Sequence, residues 1–139
     1  MRRWWTLPTR VRFVEKGMFR NYVRKSDEFE RAAAGAAARE DWDAAVANAV
    51  HSGMSMADAV AVFYLGKRSA GQQHEESISL LSETSIDRKG VDRAASHLKD
   101  LLKVKNLAEY EERLLRQRDS EHALRHLGRF KSWARDKLP

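Results

Sequence analysis

The sequence predicts an all-α fold, an up-and-down bundle of four to five helices. Three observations carry that expectation. Apolar residues recur at three- and four-residue spacing along most of the chain. No stretch alternates with period two for long, so no strand is expected. Turn formers are scarce, with two prolines and seven glycines in 139 residues, fewer than the tight turns of an all-β chain would need. No internal repeat is visible, and the length suits one domain.

Residues 1–12 read as a basic, aromatic arm ahead of a helical domain over residues 13–139. The adjacent Trp4 and Trp5 are costly to leave in water, so the arm is expected to pack on its own domain or on a partner. A first helix is expected over about 13–39, where Phe19, Tyr22, Val23, Phe29, Ala33, Ala36 and Ala37 follow helical spacing. The alanine-rich stretch 32–38 adds propensity. Asp41 then suits an N-cap, and Asp43 suits the positive end of a second helix. That helix, Trp42 to Gly66, is apolar or small on nearly every face, so it must be surrounded. Its apolar circumference exceeds what three neighbours would bury, which argues for a homodimer or for a larger core within one chain.

Gly66, Ser69 and Gly71 punctuate a loop. A short helix over His74–Leu81 and a polar turn over Ser82–Gly90 follow. A long helix is expected over about 91–115, then a break at Arg116–Ser120. A last helix over about 120–137, capped by Asp119 or Ser120, carries Ala123, Leu124, Leu127, Phe130 and Ala134.

Charge is abundant and uneven. The net charge is +6 and the pI about 9.8. Residues 1–25 carry eight basic groups against one acidic, residues 26–112 ten against sixteen, and residues 113–139 eight against three. Basic ends and an acidic middle suit either a cationic face for a polyanion or pairing of ends to middle. Cysteine is absent. That excludes disulfides, thiolate zinc sites and cysteine nucleophiles, and it fits a reducing compartment. No apolar run reaches the roughly 20 residues of a membrane span, and no signal peptide is evident. A cytoplasmic chain that stays off the membrane is the expectation.

Two Arg-x5-His spacings are candidate catalytic pairs, Arg68 with His74 and Arg116 with His122. Arginine can stabilise a charged phosphoryl transition state while imidazole moves a 2′-hydroxyl proton. Chance produces such spacings readily in a chain this rich in arginine. His51, on the apolar second helix, reads as a buried, hydrogen-bonded histidine. His122 and His126, at i,i+4, read as a solvated pair, and no metal or cofactor is expected. Lys105 and Glu109 are spaced for an i,i+4 ion pair. Lys105, Asn106, Tyr110 and Arg113 form the densest polar cluster. It reads either as a network fixing helix packing or as a pocket for a nucleotide or RNA phosphate.

The order of features resembles the HEPN superfamily of small helical bundles over about residues 15–137. The segments that carry the resemblance are Glu40-Asp41-Trp42-Asp43-Ala44-Ala45, the small-residue helix after it, the Gly66-Lys67-Arg68…His74 loop, Leu101-Leu102-x-x-Lys105-Asn106-x-Ala108-x-Tyr110, and Phe130-x-x-Trp133-Ala134. The resemblance implies a homodimer. It also implies RNA-related biology, since many members are metal-independent endoribonucleases, often toxins partnered with a nucleotidyltransferase antitoxin. Their motif is Arg-x4-6-His on the late long helix, across a dimer cleft. Laid on it, Lys105 stands at the Arg position, Asn106 matches the Asn, and Tyr110 stands at the His position. Glu112 stands where toxins of the modified-tyrosine type carry a Tyr. Lysine lacks arginine's planar fork, and tyrosine, with a reference pKa near ~10, is a poor base at neutral pH. The expectation is a non-catalytic member with an RNA- or nucleotide-associated accessory role, its ligand held by Lys105, Asn106, Tyr110 and Arg113. An active endoribonuclease toxin using Arg116 with His122 or Arg68 with His74, and a purely structural partner-binding domain, are the alternatives.

Overall fold

A computed structural model describes residues 10–71 and 73–139. Five helices form the body of the molecule: α1 (Phe19–Ala38), α2 (Trp42–Leu65), α3 (His74–Leu81), α4 (Arg88–Glu111) and α5 (Gln117–Lys137). No helix among the described residues is long and apolar enough to cross a membrane. The helical expectation holds, with one correction. Two three-residue strands, β1 (Val11–Phe13) and β2 (Lys67–Ser69), pair antiparallel with Arg12 opposite Arg68. Three residues are too few to show an alternating pattern, and Lys67-Arg68-Ser69 has no apolar face to alternate. The first helix accordingly starts at Phe19, after β1 and a 3-10 turn at Lys16–Met18, and not at residue 13. Of the expected arm, Val11 and Arg12 join the sheet. The Trp4–Trp5 pair lies outside the described residues.

Helix α2 is the axis of the bundle. Ala45, Val46, Ala49, Val50, Met56 and Val60 are buried along it, and α1, α3, α4 and α5 all pack against it. Four neighbours in one chain enclose it, so its apolar circumference needs no second copy. Small residues set how near the neighbours come. A Cβ on Gly53 would lie 3.1 Å from side-chain carbons of both Leu98 and Leu101 on α4. Across the α1–α2 contact, Ser26 Oγ donates to the Ser52 carbonyl at 2.8 Å and Ser52 Oγ donates to the Ser26 carbonyl at 2.8 Å. Two buried hydroxyls thereby satisfy each other's needs where no water reaches.

The helix ends follow local chemistry only in part. Gly66 closes α2 in the left-handed region, at φ 68°, a position that favours a residue without Cβ. Asp41 occupies the N-cap of α2, but its carboxylate bonds to Arg39 Nε and not to the helix. At α5 the N-cap is Arg116. Asp119, three residues on, accepts its backbone N–H at 2.8 Å, and Ser120 donates to the Gln117 carbonyl.

One buried charge ties the last helix to the first. Lys131 is 1% exposed, and its Nζ lies 2.8 Å from Asp27 Oδ1 and 2.6 Å from Glu30 Oε1 on α1. Arg135 joins the same two carboxylates, one turn further along α5. Burial alone would raise Asp27, but Lys131 and then Arg135 outweigh it and hold the carboxyl below the usual range. Removing one partner of such a pair strands the others without compensation. Lys131→Ala is therefore expected to cost about 3 kcal/mol, at the low end for buried pairs because both carboxylates keep some contact with water. Lys131→Met, which refills the apolar stem, should cost less. Urea unfolding of both variants checks this, and a loss below about 1 kcal/mol in Lys131→Ala, the size of an exposed pair, contradicts it.

Candidate functional site

Three places in the bundle bring chemically capable side chains together. The first is the C-terminal end of α4, where the sequence placed Lys105, Asn106, Tyr110 and Arg113. Helix geometry divides these four. Lys105 and Arg113 line a groove of about 390 Å³ against the N-terminal part of α2, with Asp43, Val46, Glu109 and Glu112. Asn106 lines a different groove, of about 330 Å³, facing α3. Tyr110 is 88% exposed. Lys105 Nζ pairs with Glu109 at 2.7 Å, the expected i,i+4 contact, worth about 0.3–0.5 kcal/mol at such exposure.

Arg113 has a structural task. Its guanidinium holds Glu111 at 2.5 Å and Asp119 at 3.1 Å across the α4–α5 turn. Asp119 and then Glu111 raise its pKa by hydrogen bonding. In return, burial would raise Asp119, yet the Arg116 N–H and Arg113 hold it below the usual carboxylate range. Asp43 completes the turn by accepting the Leu115 N–H at 3.2 Å. At this end of α4 large apolar side chains stand in water: Leu107, Tyr110 and Leu114 are 48%, 88% and 79% exposed.

The second place lies around β2. Asp58, on α2, is largely buried, and desolvation pushes its carboxyl up to about 6 against the pull of Arg68 and Lys25. Arg68 Nη1 donates to the Ser69 carbonyl at 3.1 Å, and its Nε is buried with no partner. Its guanidinium also lies 5.8 Å from the Tyr22 ring centroid. Arg68 is thus engaged with α1 and α2. His74 begins α3. Burial lowers its pKa first, and the neighbouring charges of Lys105 and His51 lower it further, so the charge it faces belongs to Lys105 on α4. His51 itself is exposed and lies against Phe29, ring centroids 5.2 Å apart. The expectation of a buried, hydrogen-bonded His51 is corrected, because its face of α2 lies at the edge of the α1 contact.

The third place is the α4–α5 interface, of which the sequence shows only the His122–His126 spacing. His97 on α4 and His126 on α5 approach Nδ1 to Nδ1 at 3.0 Å, and His126 Nε2 lies 3.1 Å from His122 Nε2. Three imidazoles form a row, with Asp100 Oδ2 4.0 Å from His126 Nε2. His126 is 8% exposed, so it is no solvated partner of His122. Each contact needs one donor and one acceptor nitrogen, which neutral rings supply. Burial lowers the pKa of His97 and of His126, and the neighbouring cations lower both further. The rings face one another in pairs, and among the described residues no group of three or more metal-ligating side chains is arranged to hold a metal ion. Arg116 stands at the α5 N-cap and His122 belongs to the imidazole row, with no hydrogen bond between their side chains among the described residues.

No family model, no curated protein and no solved structure matches this chain.

The Asp58 environment makes a pH prediction. Its folded-state pKa stands above the unfolded value of 3.8. A group raised in this way contributes fully below the unfolded pKa and loses that contribution as pH rises through the folded pKa. Relative to Asp58→Asn, the wild-type chain should therefore lose stability between about pH 4 and pH 6, by a few kcal/mol at most. Denaturant titrations of both proteins across that range check the sign. A difference that stays flat, or that grows in the wild type's favour, contradicts the burial of an unpaired carboxyl.

Proposed function

We propose that the chain is a HEPN-like, dimeric helical protein that binds RNA or a nucleotide without cleaving it, in an accessory role. The observation that carries this reading is the surface at the end of α4. There Tyr110 stands almost wholly in water, and Lys105, paired to Glu109, projects from another face of the same helix end. An exposed phenol suits stacking on a base, and a cation on the same helix end can meet the phosphate chain that runs past it. It does not suit proton abstraction at neutral pH, because phenol is a weak base there.

The dimer finds support in the same place. Leu107 and Tyr110, three residues apart on α4, and Leu114, in the turn that follows it, are all exposed. Large apolar side chains left in water mark a contact surface more than a solvated one. A second copy seated on this end of α4 would bring two such surfaces side by side and lengthen the track for a polyanion. The candidate pairs Arg68 with His74 and Arg116 with His122 make other contacts, which further favours binding over catalysis.

The test is binding of a fluorescent single-stranded RNA at several salt concentrations, with chelator present and the RNA checked for breakage. Intact RNA, bound with an affinity that falls steeply with salt, is expected. Lys105→Ala should weaken binding and reduce the salt slope by about one. Tyr110→Ala should weaken it by about 1–3 kcal/mol, the value of one stacked base. Leu107→Arg with Leu114→Arg should convert a dimer into a monomer in sedimentation. Cleavage without metal, abolished by His74→Ala or His122→Ala, would replace this reading with the endoribonuclease. No RNA binding at low salt would leave a structural partner-binding domain.

A further inference from the structure

A groove of about 530 Å³ lies between α4 and α5 on the flank that carries His97. Arg93 and His97 reach it from α4, and Arg129, Ser132, Trp133 and Asp136 from α5. Successive turns of both helices thus face one space. Among the described residues neither Arg93 nor Arg129 has a carboxylate within ion-pair distance, and Asp136, which lines the same groove, pairs with Lys137. Two unpaired guanidiniums on facing helices repel each other, an arrangement that gains from an anion held between them.

A second, independent observation is the Trp133 indole. Its Nε1 is buried and has no hydrogen-bond partner. Such a donor costs free energy unless something accepts from it. Gly90 floors this side of the groove. A Cβ there would lie 2.2 Å from Asp87 Oδ2 and 2.8 Å from Trp133 Nε1, so the absence of a side chain is what lets both groups lie against the backbone. Asp87 Oδ2 lies on the same side of Gly90 and makes no hydrogen bond to the indole. Meanwhile His97 spends its Nδ1 on His126, which leaves Nε2 as the ring nitrogen for a ligand.

We infer that the α4–α5 groove binds a phosphate group, clasped by Arg93 and Arg129 and accepting from the Trp133 indole and His97. Arginine forks match phosphate oxygens in pairs, and a phosphate has acceptors enough for all four side chains. The volume falls in the range of small-molecule sites, about 300–1,000 Å³, so there is space for an organic group attached to the phosphate. The imidazole row behind His97 holds that ring in place, since His126 is itself fixed between His97 and His122. The site shares no residue with the Lys105–Tyr110 surface, so either can fail while the other stands.

The test follows the indole N–H of Trp133 by two-dimensional NMR in the full chain, assigned through Trp133→Phe, while adenosine monophosphate, inorganic phosphate or adenosine is added. Adenosine monophosphate is expected to shift the Trp133 signal and leave that of Trp42 in place, whereas adenosine shifts neither. Arg93→Ala combined with Arg129→Ala should weaken the binding at least tenfold with helical content unchanged, because both side chains lie at the surface. Inorganic phosphate binding as tightly as the nucleotide supports the same clasp and identifies free phosphate as its ligand. Tighter nucleotide binding identifies a phosphate monoester. The inference is overturned if neither phosphate compound moves the Trp133 signal, if the double variant binds as well as the parent, or if the signal responds only to Asp87→Ala, which would make Asp87 the indole's partner.

Discussion

The enclosure of α2 is the constraint on which the rest of the structure depends. A 24-residue helix with apolar or small side chains on nearly every face cannot stand at a surface. The remaining elements are arranged as its walls. Gly53 and Ser52 show how the walls are brought close: one lacks a side chain where Leu98 and Leu101 press in, the other trades hydrogen bonds with Ser26. Because that packing is complete within one chain, contact between copies has to use what the walls expose outward. This separates the core, which specifies the bundle, from the α4 end and the α4–α5 groove, which are free to carry function.

How far the sequence speaks follows from the same division. Helices were legible where burial imposes a period, as along Phe19–Ala37 and Leu98–Ala108, and α2 was legible as the central element because it lacks one. The strands β1 and β2 were not, since three residues pairing through backbone alone leave no side-chain signature. The N-cap at Asp41 was placed correctly, but its carboxylate prefers the nearer guanidinium of Arg39. Lys105–Glu109 could be read from spacing alone. The histidine row could not: His97 and His126 lie 29 residues apart, and only the packing of α4 on α5 sets them at 3.0 Å. The same holds for Arg93 and Arg129. Asp58 is a polar residue in an apolar helix, and only the fold sets it near Arg68.

Several polar groups inside this bundle are contacts between helices. Lys131 joins α5 to α1, the imidazoles join α5 to α4, Ser26 and Ser52 join α1 to α2, and Arg113 with Asp119 fixes the turn between α4 and α5. Apolar packing against α2 decides which helices gather. These directional contacts decide the register at which they stop sliding, because a one-turn shift would leave each donor or charge unmatched.

The Lys131 contact also constrains the order in which the protein can be completed. The groups it joins are separated by 101 and 104 residues of chain. Closing so long a loop costs entropy before the contact repays it. Until α5 packs, the part of α2 that it covers and the two carboxylates on α1 stay open to water, so the first two helices are not a finished unit by themselves.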